Sequence, residues 1–155
     1  MAIPTVSRVN ETHAAELLSL QREAYQSEAA IYQDWTIAPL TETEDQFRQA
    51  LQKQHILAAW LDGSIVGSIR AELIDTTCQI GRLFVAPQMQ GRGIGRQLLL
   101  AAETVYSSST RFQLFTGNRS AKNLKLYERL GYIQTHERFL NDKITLAVLE
   151  KQKLI

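Results

Sequence analysis

Residues 85–103, VAPQMQGRGIGRQLLLAAE, place three glycines (Gly91, Gly93, Gly95) and two arginines (Arg92, Arg96) directly ahead of an apolar repeat at helical spacing. The first turn of a helix carries unpaired N–H groups and a partial positive charge. Glycines clear side chains away, so an anion such as a phosphate can approach those N–H groups. Arg92 and Arg96 add charge and paired donors. A single Gly-x-Gly reads as a plain turn with solvated arginines. The whole stretch, between a strand and a helix, favours an anion site. The dinucleotide fingerprint G-x-G-x-x-G fails, because positions 96 and 98 hold Arg96 and Leu98. No segment fits the P-loop pattern G-x-x-x-x-G-K-[ST]. What remains is Gln90-x-x-Gly93-x-Gly95.

A second stretch with chemical content is SAKNLKLYERLGY, residues 120–132. Ser120, Asn123 and Tyr127 stand at i, i+3 and i+7 and share one helix face. Ser120 reads first as an N-cap. Asn123 reads equally as a cap or as a ligand contact. Tyr127 is either a half-buried core residue or a hydroxyl aimed at a groove. Three histidines and one cysteine form no metal-ligand pattern, so no metal is expected. His13 and His136 read as surface residues. Cys78 reads as a strand residue without a partner, which gives no reason for an acyl-cysteine intermediate.

These residues need a scaffold, and the chain is long enough to build one. It has 155 residues, 45% apolar and 21% charged, with a formal net charge of +1. That size suits one domain with its own core, spanning 1–155. The near-zero charge gives no global attraction to nucleic acid or membrane. No apolar run approaches the ~20 residues of a membrane span. The start, MAIPTVSRVN, lacks a signal-peptide layout, and a lone cysteine suits a reducing cytoplasm. TVSRV reads as a first strand, followed by a helical pattern from Asn10 that ends before Asp34. Thr41-Glu-Thr-Glu44 has capping-box form ahead of a helix burying Phe47, Ala50 and Leu51. HILAAWL and SIVGSIRAELI form a hairpin turning at Asp62-Gly63. CQIGRLFVAP is the next strand, stopped by Pro87. The glycine-arginine helix follows, with Ile94, Leu98, Leu99, Ala102 and Val105 inward. Then come the strand RFQLFTG, the helix of Tyr127 ending at Gly131, and a closing hairpin around Asn141-Asp142. The order β-αα-βββ-α-β-α-ββ predicts a mixed α/β (α+β) sheet with helices on both faces.

At Gln90-x-x-Gly93-x-Gly95 the chain resembles the GCN5-related N-acetyltransferase (GNAT) family, whose acetyl-CoA loop has the pattern [Q/R]-x-x-G-x-[G/A]. The late helix agrees, with Tyr127 four residues before Gly131-Tyr132. The resemblance covers nearly the whole chain, the first 50 residues only in layout. It implies a GNAT-like fold and transfer of acetyl from acetyl-CoA to a primary amine by direct attack. It also implies that the CoA pyrophosphate lies on the backbone of Gln90, Gly91, Arg92, Gly93, Ile94, Gly95 and Arg96. The pantetheine arm then pairs with a bulged strand at Leu83, Phe84 and Val85, which splays from RFQLFTG. An N–H near Val85 stabilises the oxyanion, and Asn123, in preference to Asn118, meets the cofactor. Tyr127 matches the general acid. The resemblance gives no firm base: Glu72 is the candidate, with an ordinary strand residue as the plain alternative. Glu28 and Tyr32 fall where the family forms its acceptor pocket. A compact chain without an appended recognition segment favours a small-molecule amine. A protein or peptide amine, or an acyl-CoA-binding module without catalysis, are the competing readings. Nucleic-acid binding by GRGIGR is disfavoured, and the C-terminal hairpin could support a homodimer.

Overall fold

A computed structural model describes residues 3–154. Seven strands form one sheet: β1 (Thr5–Arg8), β2 (His55–Leu61), β3 (Ser64–Ile74), β4 (Thr77–Val85), β5 (Arg111–Gly117), β6 (Ile133–Asn141) and β7 (Ile144–Gln152). Their spatial order is β1-β2-β3-β4-β5-β7-β6, antiparallel except for the parallel pair β4 and β5. The helices are α1 (Ala14–Ala24), α2 (Gln26–Tyr32), α3 (Ala38–Thr41), α4 (Glu44–Lys53), α5 (Ile94–Ala102) and α6 (Ala121–Arg129). The mixed sheet and the order of its strands agree with the sequence expectation, while four helices stand between β1 and β2 where two were expected.

Alternation along the strands sends side chains to two cores. Ile56 and Ala58 of β2 join Leu17, Leu18 and Phe47 of α1 and α4 on one face. Leu57 and Ala59 join Ile94, Leu98, Leu99 and Ala102 of α5 on the other. Tyr127 and Tyr132 belong to this second core, with ring centroids 6.2 Å apart.

Two irregularities open the middle of the sheet. Residues Thr77–Ile80 pair in register with Arg111–Leu114, and the pairing stops there although both strands continue. On the other side of β4, Ser68 faces Phe84 but Arg70 faces Gly81, so β4 holds one residue too many. Within that bulge Arg82 takes a left-handed φ of 51°. A bulge bends its strand and raises the local twist, which carries β4 away from β5. The splay of β4 from β5 expected from the sequence is present.

Several local expectations shift. The single helical pattern after Asn10 is broken at Tyr25 into α1 and α2. The capping box belongs to Thr43 and Gln46, whose side chains each bond the other's backbone N–H at 3.2 and 2.9 Å. Thr41 ends α3 instead. Val105 lies beyond the end of α5 but still packs on its core. His13 is no free surface residue: its Nδ1 accepts from Asn10 N–H at 3.1 Å, and its ring packs edge-on to Trp60.

Candidate functional site

A groove of about 1000 Å³ runs along the free end of β4, the start of α5 and the first turns of α6. Leu83, Phe84, Val85, Gln90, Gly91, Gly93, Ile94, Gly95, Arg96 and Asn123 all line it. Arg92, from the same sequence motif, is exposed and does not. Gly91 and Gly93 have φ of 78° and 82°, a left-handed backbone that glycine alone adopts without cost. No heavy atom lies within 4 Å of where a Cβ on Gly93 would stand. The loop is therefore a cradle of bare backbone at the N-terminus of α5, the arrangement that binds phosphate. Gln90 steadies the loop by donating from Nε2 to the Val85 carbonyl at 3.3 Å. Arg119, Lys122 and Arg129 line the same groove and were not singled out from the sequence. They lie on or beside α6, across from the loop in the chain, so no contiguous motif announced them.

A second concavity, a cleft of about 840 Å³, lies on the α2–α4 side of the sheet. Tyr25, Glu28, Leu83 and Asn123 line both the groove and the cleft, so the two meet there, beside the parting of β4 and β5. Tyr127 lines the cleft, and its hydroxyl has no hydrogen-bond partner among the described residues. Burial pushes its pKa well above the ordinary tyrosine value, so it stays protonated at neutral pH. Tyr25 donates to the Leu83 carbonyl at 3.2 Å, and burial raises its pKa to about 12.

A hydrogen-bonded chain crosses the junction. The Ser120 hydroxyl donates to Glu28 Oε2 at 2.6 Å and therefore accepts from the Tyr32 hydroxyl at 2.7 Å. The backbone N–H of Arg119 donates to the Tyr32 oxygen at 3.0 Å. Asn123 Nδ2 reaches Thr116 Oγ1 at 3.2 Å and Glu28 Oε1 at 3.4 Å. Ser120 sits at the N-cap position of α6 but makes no side-chain cap bond, a correction to the simple capping reading. Gly117 permits the chain to form, because a Cβ there would stand 2.0 Å from the Tyr32 oxygen. Asn118 is exposed and donates to Glu137 instead, which leaves Asn123 in the groove. Glu72 lines the cleft but not the groove.

The floor of the cleft holds buried charge. Arg70 makes two bonds to Glu42, Nη1 to Oε2 at 2.9 Å and Nη2 to Oε1 at 2.7 Å. Arg82 Nη1 also reaches Glu42 Oε1 at 2.9 Å, and Gln21 donates to the same oxygen at 2.9 Å. Burial alone would raise the Glu42 carboxyl, but the bonds from Arg70 and Gln21 and both guanidinium charges hold it below its usual value. Burial and the neighbouring Arg70 lower the Arg82 guanidinium. Among the described residues no group of side chains has a metal-binding arrangement, and no helix is long and apolar enough to cross a membrane.

A mid-sheet parting beside a glycine loop at a helix start defines a site for an extended ligand with an anionic end, and comparison with known proteins gives its class. Residues 21–153 match the acetyltransferase (GNAT) domain. No curated protein sequence is significantly similar to the chain. Among solved structures, the PaiA N-acetyltransferase of Thermoplasma acidophilum in complex with coenzyme A superposes with a TM-score of 0.83. It is 16% identical, over 98% of this chain and 100% of that one. The ribosomal-protein-S18-alanine N-acetyltransferase of Escherichia coli gives 0.78 at 16% identity, over 97% and 94%. YncA of Salmonella typhimurium, with acetyl-CoA, gives 0.73 at 17% identity, over 97% and 94%. The chain belongs to the GNAT family and is an acetyltransferase.

Proposed function

We propose that the chain moves an acetyl group from acetyl-CoA, held in the 1000 Å³ groove, to the primary amine of a small molecule held in the 840 Å³ cleft. One observation carries the reading: groove and cleft share Tyr25, Glu28, Leu83 and Asn123, where β4 leaves β5. The groove residues fit CoA. The bare cradle at Gly91–Gly93 suits a pyrophosphate, and the unpaired edge of β4 at Leu83–Val85 suits an extended amide arm. When bound, acetyl-CoA supplies the activated thioester carbonyl.

The chain's residues are assigned as follows. Glu28 takes a proton from the acceptor ammonium and so frees the neutral amine that attacks, with Ser120 and Tyr32 holding the carboxylate in place through their hydrogen bonds. Tyr127, kept neutral by burial, donates to the departing thiolate. A backbone N–H near Val85 serves the oxyanion. Glu28 lies where groove and cleft meet and takes the base role, which leaves Glu72, in the cleft alone, for acceptor contact. A cleft of this volume is on the scale of small-ligand sites. The lone, buried cysteine suits work in a reducing cytoplasm.

Acetyl transfer from acetyl-CoA across a panel of amines tests the reading, alongside a CoA melting shift. A melting shift without turnover on any amine would favour a binding module. Absence of both would remove CoA from the groove.

A further inference from the structure

The cleft floor carries more cation than its own anion neutralises. Arg70 and Arg82 converge on the single carboxylate of Glu42, with side chains 5% and 26% exposed against 7% for Glu42. Arg70 is committed: both of its terminal nitrogens bind Glu42 or Gln21, and its Nε has no partner. Arg82 is not committed. A guanidinium has five N–H donors in a planar fork, and among the described residues only Nη1 of Arg82 is engaged. The remaining donors belong to a side chain that lines the cleft. A partly buried cation beside another cation, sharing one carboxylate, gains from a further anion far more than an exposed arginine would.

The position of this surplus relative to the junction matters. Arg82 is the bulge residue directly before Leu83, and Leu83 lines both groove and cleft. Glu28 marks the junction with negative charge, while Arg82 marks the adjoining floor with positive charge. The other carboxylates of the cleft make no hydrogen bond to Arg82: Asp34 is held by Thr36 through its N–H at 2.9 Å and its hydroxyl at 2.6 Å, Glu28 by Ser120, and Glu72 bonds neither arginine. The site is bipolar: the Tyr25 hydroxyl, which lines both spaces, feels the charges of both Arg82 and Glu28.

We infer that the acceptor is a zwitterion: an amine that presents its ammonium to Glu28 and a carboxylate to the open donors of Arg82. This rests on the acceptor reading of the cleft and narrows it to amino-acid-like molecules. Planar carboxylates match a guanidinium fork in two parallel hydrogen bonds, which a neutral group does less well. Polyamines, with a second cation in place of the carboxylate, meet like charge at the same floor.

The test compares matched acceptors: amino acids, their carboxamides, aminoalkyl phosphates and diamines, each with acetyl-CoA. In the wild type, kcat/KM for an accepted amino acid should exceed that of its carboxamide by roughly 10- to 100-fold, the range for a hydrogen bond to a charged group. In Arg82→Gln that ratio should fall toward one, with Arg82→Lys in between. Glu42 keeps Arg70 in both variants, and the CoA melting shift reports on their fold. Equal kcat/KM for acid and amide in the wild type overturns the inference, as does a ratio that survives Arg82→Gln. Preference for the phosphate or the diamine also overturns it, while leaving the acetyltransferase reading intact. Failure of every amine to accept acetyl overturns the acceptor reading of the cleft itself.

Discussion

The groove and the cleft are built by different means. The groove takes its bare-backbone cradle from one contiguous run, residues 83–96, where glycine creates the space, while α1, α2 and α6 close its other sides. The cleft is made of side chains drawn from α2, α3, β3, β4 and α6, tied by charged and hydroxyl hydrogen bonds across long sequence separations. A site made of backbone at a helix start suits a ligand whose phosphate and amide parts do not change. A site made of side chains can be retuned one residue at a time. Each change then tests whether the two regions are as separable as their construction implies.

The largest separation should appear at Tyr127. Tyr127→Phe keeps the ring in its core and removes the proton, so kcat should fall by about 10²–10⁴-fold, with CoA affinity little changed. A variant that retains more than about half its turnover would rule out the acid role. Next comes Glu42→Gln, which leaves Arg70 buried without its counter-charge. Breaking a buried pair from one side costs about 3–5 kcal/mol, read as a lowered denaturant midpoint. The native Glu42 pKa lies below the usual 4.5, so its stabilisation is full above that value and is lost as the pH falls through the lower native value. The wild-type melting temperature should therefore drop on acidification below about 4.5, and the Gln variant should flatten that drop.

Gly117→Ala pushes a methyl into the Tyr32 hydroxyl and displaces the Tyr32–Ser120–Glu28 chain. Misplacement on this scale can cost about 10²-fold in kcat, and KM for acetyl-CoA should hold if the regions are separable. Gly93→Val acts in reverse. It strains a left-handed position and fills the cradle, so the roughly 2.7 kcal/mol of stabilisation expected from CoA at 100 times its Kd should largely vanish. Unchanged CoA melting shifts in that variant would move the phosphate elsewhere. The smallest effect is the control, Arg48→Gln. Its pairs with Glu44 and Asp45 are exposed, and their loss should cost about 0.5 kcal/mol or less by melting.

How much of this was legible follows from the same contrast. The glycine loop and the helix of Tyr127 are local patterns, and they read correctly because backbone geometry and helical period depend on near neighbours. The cradle, the splay and the face holding Asn123 and Tyr127 all appear in the structure. The hydrogen-bonded chain did not read, because Tyr32 and Ser120 are 88 residues apart and only the topology joins them. Ser120 looked like a cap on local grounds, and tertiary partners took its hydroxyl instead. The capping box misread has a simple cause: Thr41–Glu44 and Thr43–Gln46 both fit the pattern, and α3 occupies the first. Arg70 did carry a signal. A cation deep in the largely apolar strand SIVGSIRAELI implies a buried partner, although nothing nearby names Glu42 as that partner.

The parting of β4 and β5 has a consequence for the chain when its ligand is absent. An ordinary open sheet has two exposed margins, here β1 and β6, but the wedge adds a further pair of half-margins in the interior. Amide hydrogens that face that wedge have no strand partner and should exchange quickly with solvent, then slow on ligand binding, while those of Thr77–Ile80 stay protected in both states. The same half-margins offer a template to any extended segment of another chain. A ligand bound as proposed would thus seal the sheet, and its removal should show first as self-association rather than as unfolding.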